Sequence, residues 1–154
     1  MKVGIIVHSH TGNTLAVAQR LKEKLLAKGH SVNLEQVMAV NEDPSAAGNI
    51  QLKTVPDISD YDGLIFGAPV RAFSLSPVMK AYLSQLPSLK GKKVGCFVTQ
   101  YFPYGWMGGT RSVKQMKKFC EAKDENVFAA GIVNWSHKER EKRITDVLER
   151  LTRL

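Results

Sequence analysis

Five short apolar runs alternate along the chain with longer stretches whose apolar residues recur every three or four positions. Val3–Val7 reads VGIIV, a continuous β-branched run suited to a strand buried on both faces. Leu15, Val17, Ala18, Leu21, Leu25 and Leu26 follow at helical spacing, and Lys28-Gly29 supplies a glycine stop. Ser31–Val37 alternates polar and apolar residues, the pattern of a strand near a sheet edge. Asp62–Ala68, Lys92–Thr99 and Val127–Val133 complete the strands. Ser76-Pro77 opens a helix with Val78, Met79, Tyr82, Leu83 and Leu86 on one face. Residues 110–122 place Val113, Met116, Lys117, Phe119 and Cys120 at helical spacing, and His137–Leu151 turns Ile144, Val147, Leu148 and Leu151 inward. Residues 39–60 are broken by Asn, Asp, Pro and Gly, and a short irregular helix is expected near 44–49.

The order β-α-β-(α)-β-α-β-α-β-α with apolar strands predicts an α/β fold. Its parallel sheet should be covered by helices on both faces and joined by right-handed crossovers. No repeat, low-complexity tract or linker interrupts the pattern, so 1–154 is read as one domain. That length buries enough surface to need neither a disulfide nor a metal. Cys96 and Cys120 show no CxxC spacing and no His/Cys cluster accompanies them, which reads as a reduced, cytoplasmic chain. No apolar run reaches the roughly 18 residues of a membrane span. The residues before His8 are too few for a signal sequence and fit a first strand.

In an open parallel sheet, ligands bind beyond the carboxyl ends of the strands, near the point where strand order reverses. Three loops in such positions have unusual composition: 8–14, 68–76 and 99–109. The first contains Ser9, His10, Thr11, Gly12, Asn13 and Thr14 at a helix start. Free backbone N–H groups and the helix dipole favour an anion there, Gly12 lets the backbone approach it, and the Ser9, Thr11 and Thr14 hydroxyls add donors. Simple helix capping is the alternative, although three hydroxyls beside Gly-Asn exceed what a cap requires. Dinucleotide (G-x-G-x-x-G), Walker-type and G-x-S-x-G signatures are all missing. His8 and His10 would share a strand face, but no third metal ligand is indicated.

The SHTGNT loop resembles the FMN phosphate loop of flavodoxins. Asp60-Tyr61-Asp62 leading into Leu64-Ile65-Phe66-Gly67-Ala68-Pro69 is similar to the third-strand passage of flavodoxin-like proteins. Pro69-Val70-Arg71 and Thr99-Gln100 with Gly108-Gly109 resemble ring-binding loops of the flavodoxin-like quinone reductases. The resemblance spans essentially the whole chain. It implies a flavodoxin-like three-layer sandwich, with a five-stranded parallel sheet of order 2-1-3-4-5. It also implies FMN as cofactor and NAD(P)H as electron donor, with a quinone or similar acceptor, the alternative being an electron carrier serving a redox protein. Ser9 to Thr14 would then hold the phosphate. Pro69, Val70, Arg71, Ala72, Phe73, Thr99, Gln100, Tyr101, Trp106, Gly108 and Gly109 would border the ring, with Phe102 and Tyr104 adding aromatic faces. The flavin, not a side chain, would carry the redox chemistry. Two departures stand out: Ala72 separates Arg71 from the aromatic Phe73, and the second loop has neither glycine nor acid. Carrier flavodoxins have both, so this chain is expected to favour two-electron chemistry. Receiver-domain and small tyrosine-phosphatase readings fail, because the first strand ends in His8-Ser9 and Cys96 lies inside the fourth strand.

Charge adds one feature. The chain has 22 Lys+Arg against 14 Asp+Glu, net +8, with a pI near 9.6. The excess lies at Lys90, Lys92, Lys93, Arg111–Lys123 and the last helix, largely outside the three loops. No nucleic-acid motif accompanies it. The expected partner is a small electron acceptor or a redox protein, and homo-oligomerisation stays open.

Overall fold

A computed structural model describes residues 1–43 and 50–154, so the helix expected near 44–49 lies outside the described residues. The strands are β1 (Lys2–Val7), β2 (Ser31–Gln36), β3 (Met38–Ala39), β4 (Leu52–Thr54), β5 (Gly63–Arg71), β6 (Ser74–Leu75), β7 (Lys93–Gln100) and β8 (Val127–Asn134). The helices are α1 (Asn13–Ala27), α2 (Pro77–Ser84), α3 (Gly109–Glu121) and α4 (Arg140–Leu151). The main sheet runs β2-β1-β5-β7-β8, all parallel, which is the expected 2-1-3-4-5 order.

Alternation along each strand divides the core. Ile6, Leu64, Phe66, Cys96 and Val98 pack toward α2 and α3. Val3, Ile5, Val7, Ile65, Phe97 and Val133 pack toward α1 and α4. Because successive strand side chains point to opposite faces, a run such as Gly63–Ala68 must be apolar throughout to be buried on both. The helices meet these faces with stripes four residues apart: Val17, Leu21 and Leu25 on α1, and Ile144, Leu148 and Val147, Leu151 on α4.

Three boundaries differ from the sequence reading. The third long strand continues through Pro69 to Arg71 and folds back as β6, where a loop was expected from Pro69. Proline lacks an N–H, but the Pro69 carbonyl still accepts from Ser76 N–H at 3.1 Å and its position pairs with Thr99. β3 and β4 form a small antiparallel pair that the broken pattern of 39–60 concealed. The last helix begins at Arg140 rather than His137, after a turn closed by His137 N–H to Asn134 O.

Gly67 sits opposite Phe97 in the ladder, and a β-carbon on it would stand only 2.3 Å from Phe97 Cζ. Gly67→Ala should therefore overpack the core and cost about 1–3 kcal/mol, measured as a lowered denaturant midpoint with unchanged slope.

Candidate functional site

β1, β5 and β7 are adjacent at the centre of the sheet, so the loops that follow them meet at one carboxyl edge. The chain crosses to β2 on one side of β1 and returns to β5 on the other, which makes the β1/β5 junction the switch point.

Loop 8–14 enters α1 through Gly12, whose φ of +94° is left-handed. A β-carbon there would meet nothing within 4 Å, so the backbone face is bare. Ser9 Oγ accepts from Leu15 N–H at 3.2 Å, and Gly12 O accepts from Ala16 N–H at 2.9 Å. The Asn13 and Thr14 amides have no acceptor among the described residues, and the first turn holds no acid. His10 and Thr11 are exposed. Thr14 is buried instead, its hydroxyl 2.7 Å from that of Thr99, so this side chain fastens the loop to the end of β7. Free helix-start amides beside a bare glycine and no carboxylate suit a phosphate.

The second loop is a two-residue hairpin: Val70 pairs with Leu75 and Arg71 with Ser74, and Ala72 and Phe73 turn at φ +50° and +60°. Glycine and asparagine normally fill such turns, and each other residue there costs about 1–3 kcal/mol. Neighbours hold it in place. Leu75 N–H donates to Gln115 Oε1 at 2.9 Å, and Lys80 Nζ donates to Ser74 Oγ at 2.9 Å. Gly108, at φ +116°, lies so close that its β-carbon would stand 2.7 Å from Phe73 Cα and Val70 Cγ1. The Phe73 and Phe102 rings stack, 6.1 Å apart and 11° from parallel.

The third loop hangs from two buried amides. Gln100 Nε2 donates to the carbonyls of Phe102 and Tyr104, and Asn134 Nδ2 donates to Phe102 O at 3.1 Å. Arg143 fixes Asn134 from behind at 2.9 Å. Gln100 Oε1 is buried without a partner beside Gly109. Gly105–Met107 form a single 3₁₀ turn. Tyr101, Phe102, Tyr104 and Trp106 stay exposed, Trp106 by 78 %, and Tyr104 stacks on Trp106. Together with half-exposed Phe73 they give this edge the apolar surface that a flat ring system requires.

Arg71 and Ala72 line a cavity of about 190 Å³ with His8, Glu42, Pro77 and Val78. His8 is buried here. Its Nδ1 lies 2.6 Å from Ser76 Oγ and its Nε2 3.0 Å from Glu42 Oε2. Burial pushes the His8 imidazole below its usual value against the raising pull of Glu42. Burial would raise the Glu42 carboxyl, but Ala39 N–H and His8 hold it below the usual carboxylate value. An ionised Glu42 can only accept, so His8 Nε2–H donates to it, Ser76 Oγ–H donates to His8 Nδ1, and Met79 N–H caps Ser76. Both ring nitrogens are thus used within the protein. Among the described residues no group of three or more His, Cys, Asp or Glu could hold a metal.

The structure therefore brings Thr14 to Thr99, and Val70 and Phe73 to Gly108 and Phe102. Arg71, on the same hairpin, also lines the cavity beside His8. Sequence reasoning missed Glu42, Gln115 and Asn134, which position the three loops. Asn134 alone left a trace, as the polar end of an otherwise apolar strand. Cys96 and Cys120 are buried, with burial pushing both thiols up to about 12, and are not part of this edge.

Comparison with known proteins agrees with this geometry. The family model described as NADPH-dependent FMN reductase matches residues 1–139. Flavodoxin of Megasphaera elsdenii is 29% identical over 135 residues, 86% of this chain and 85% of that protein. The solution structure of that flavodoxin, two-electron reduced, superposes with a TM-score of 0.71 at 22% identity over 99% of both chains. A flavoprotein from Lactobacillus acidophilus NCFM, solved in complex with FMN, gives a TM-score of 0.61 at 18% identity, covering 92% of this chain and 97% of that one.

Two outcomes follow for stability. Ala72→Gly should raise it by up to about 1 kcal/mol, because relief of left-handed strain exceeds the extra freedom glycine brings to the unfolded chain. The rise would appear as a higher denaturant midpoint. His8 titrates lower in the folded state than in the unfolded chain, so its contribution is full above about pH 6.5 and falls as pH drops through that value. The Glu42 contribution is lost in turn below about pH 4.5. Melting curves between pH 7.5 and 5 (roughly spanning the histidine window) should fall for the native chain, and His8→Asn should flatten that slope.

Proposed function

The chain belongs to the NADPH-dependent FMN reductase family, and on that premise we propose that it moves two electrons from NAD(P)H to a quinone or similar small acceptor. FMN is its cofactor. When bound, FMN supplies the redox chemistry, and the protein supplies binding, orientation and electrostatics.

In this reading the Asn13 and Thr14 amides take the phosphate, with Ser9, His10, Thr11 and Gly12 around it. Pro69–Phe73 and Thr99–Tyr101, Trp106, Gly108 and Gly109 border the ring. Gln100 Oε1 is an unused acceptor at that border. The Phe73–Phe102 stack covers apolar surface from water, and the exposed Tyr101, Tyr104 and Trp106 leave a flat face for the second substrate.

The observation that carries the two-electron reading is charge. Residues 68–76 and 99–109 hold one arginine, Arg71, and no carboxylate. A guanidinium near a ring that gains electrons stabilises the added negative charge, and the absence of acids leaves that effect unopposed within the two loops. Outside those loops, Glu42 and Asp43 line the Arg71 cavity, and Glu42 is tied to His8. The Megasphaera elsdenii flavodoxin relative favours a second reading, an electron carrier serving a protein partner. In either role we place the chain in the cytoplasm. Among the described residues no helix is long and apolar enough to cross a membrane.

Steady-state assays separate the readings. The FMN-loaded chain should oxidise NADPH with a water-soluble quinone and no protein partner present. Arg71→Ala should lower kcat/KM about tenfold, equal to about 1.4 kcal/mol, with FMN content unchanged. No NADPH consumption until a redox protein is added would establish the carrier instead.

A further inference from the structure

The two edges of the sheet are finished differently. β2 carries Ser31, Asn33, Glu35 and Gln36, and its Gln36 carbonyl accepts from Thr54 Oγ1 at 2.7 Å, so polar groups and the β3–β4 pair blunt that edge. β8 reads VFAAGIVN, eight residues without a charge, and among the described residues it pairs only with β7. Among these residues no strand lies beside its outer row of N–H and C=O groups. The ladder slips between Val94 and Gly95, which leaves Phe128 as the extra residue, 38% exposed with its ring over Gly95.

A groove of about 460 Å³ follows the first half of this edge, Val127 to Ala130, while beside Ile132 the flank mixes Glu139 and Asp146 with Lys142, Arg143 and Arg150. Phe128, Ala129 and Ala130 form its floor, with exposed Lys117 of α3 on one flank and exposed Arg150 of α4 and Arg153 on the other. None of these three cations forms a salt bridge with a described carboxylate. Glu149, the acid nearest Arg153 in sequence on α4, is held by Lys24 at 2.6 Å.

We propose that the β8 edge is the docking site for a partner protein carrying an acidic extended segment, which adds to the sheet as a further strand. A bare strand edge presents donors and acceptors at the repeat of a peptide backbone, and the small Ala129 and Ala130 side chains let another backbone approach. Successive side chains of an added strand point to opposite faces of the sheet. Acidic residues at neighbouring positions therefore reach Lys117 on one side and Arg150 and Arg153 on the other. A second copy of this chain does not fit, since two β8 edges would bring both sets of three cations together on chains of net charge +8. The carboxyl end of β8 leads into Trp135, whose N–H donates to Gln100 O at 2.7 Å. A segment bound along β8 thus ends beside the root of the third loop.

The test uses the full chain, labelled with ¹⁵N, and a capped peptide of glutamates and valines as long as β8. At low salt the amide shifts and slowed hydrogen exchange should concentrate in Val127–Val133. Affinity should drop about tenfold for Arg150→Glu with Arg153→Glu, and again for Lys117→Glu, in variants shown folded by circular dichroism. The same peptide N-methylated at alternate amides should fail to bind, because it cannot form the ladder. Equal binding of the N-methylated peptide, shifts away from β8, no binding at all, or self-association of the chain through this edge would each overturn the proposal.

Discussion

The approach of Gly108 to the β5–β6 hairpin governs the shape of the carboxyl edge. Two non-glycine residues, Ala72 and Phe73, sit in left-handed conformations at the hairpin tip. An isolated hairpin would relax that strain, but this one is pressed from two sides. Gly108 and Phe102 meet it from the third loop, and Gln115 and Lys80 bond its returning strand. The third loop stays in place because Gln100 and Asn134 hold its carbonyls from within the protein. Side-chain amides from strand ends therefore fix a backbone arrangement that local preference would not choose. Such strain, held by surrounding structure, is common where a ligand must be met by a preset surface.

Charge is kept out of this edge and placed elsewhere. The proposed phosphate site at α1 offers neutral donors, and the loops proposed to border the ring contain Arg71 as their one charged residue. His8 is buried, burial lowers its pKa, and Glu42 is tied to it. Much of the cationic excess lies on α3 and α4, and Lys117, Arg150 and Arg153 flank the uncharged β8, where the proposed acidic partner would reach them. In the proposed roles, redox tuning and partner attraction fall to separate groups in the same small fold.

Much of this was legible in the sequence, for physical reasons. VGIIV, DGLIFGA and KKVGCFVT had to be central strands because nothing polar interrupts them, and a central parallel strand cannot bear polar faces. Ser76-Pro77 gave the start of α2 correctly. The SHTGNT stretch marked the start of α1 without any neighbour being known. The hairpin was not legible, since Ala-Phe is a poor signal for a left-handed turn, and Gly108 and Gln115, which help to hold it, lie 35 or more residues further on. Nor was the second role of Thr14, whose hydroxyl turns inward to Thr99. The His8–Glu42 contact joins residues from different connections, so no periodicity could reveal it.

In the proposed site, neutral backbone donors at the start of α1 would hold the cofactor by its phosphate. Fluorescence titration of the apoprotein with FMN and with riboflavin, which lacks only that phosphate, tests it directly. The account predicts that FMN binds at least about a hundredfold more tightly, equal to about 2.7 kcal/mol. Equal affinity for the two would contradict it.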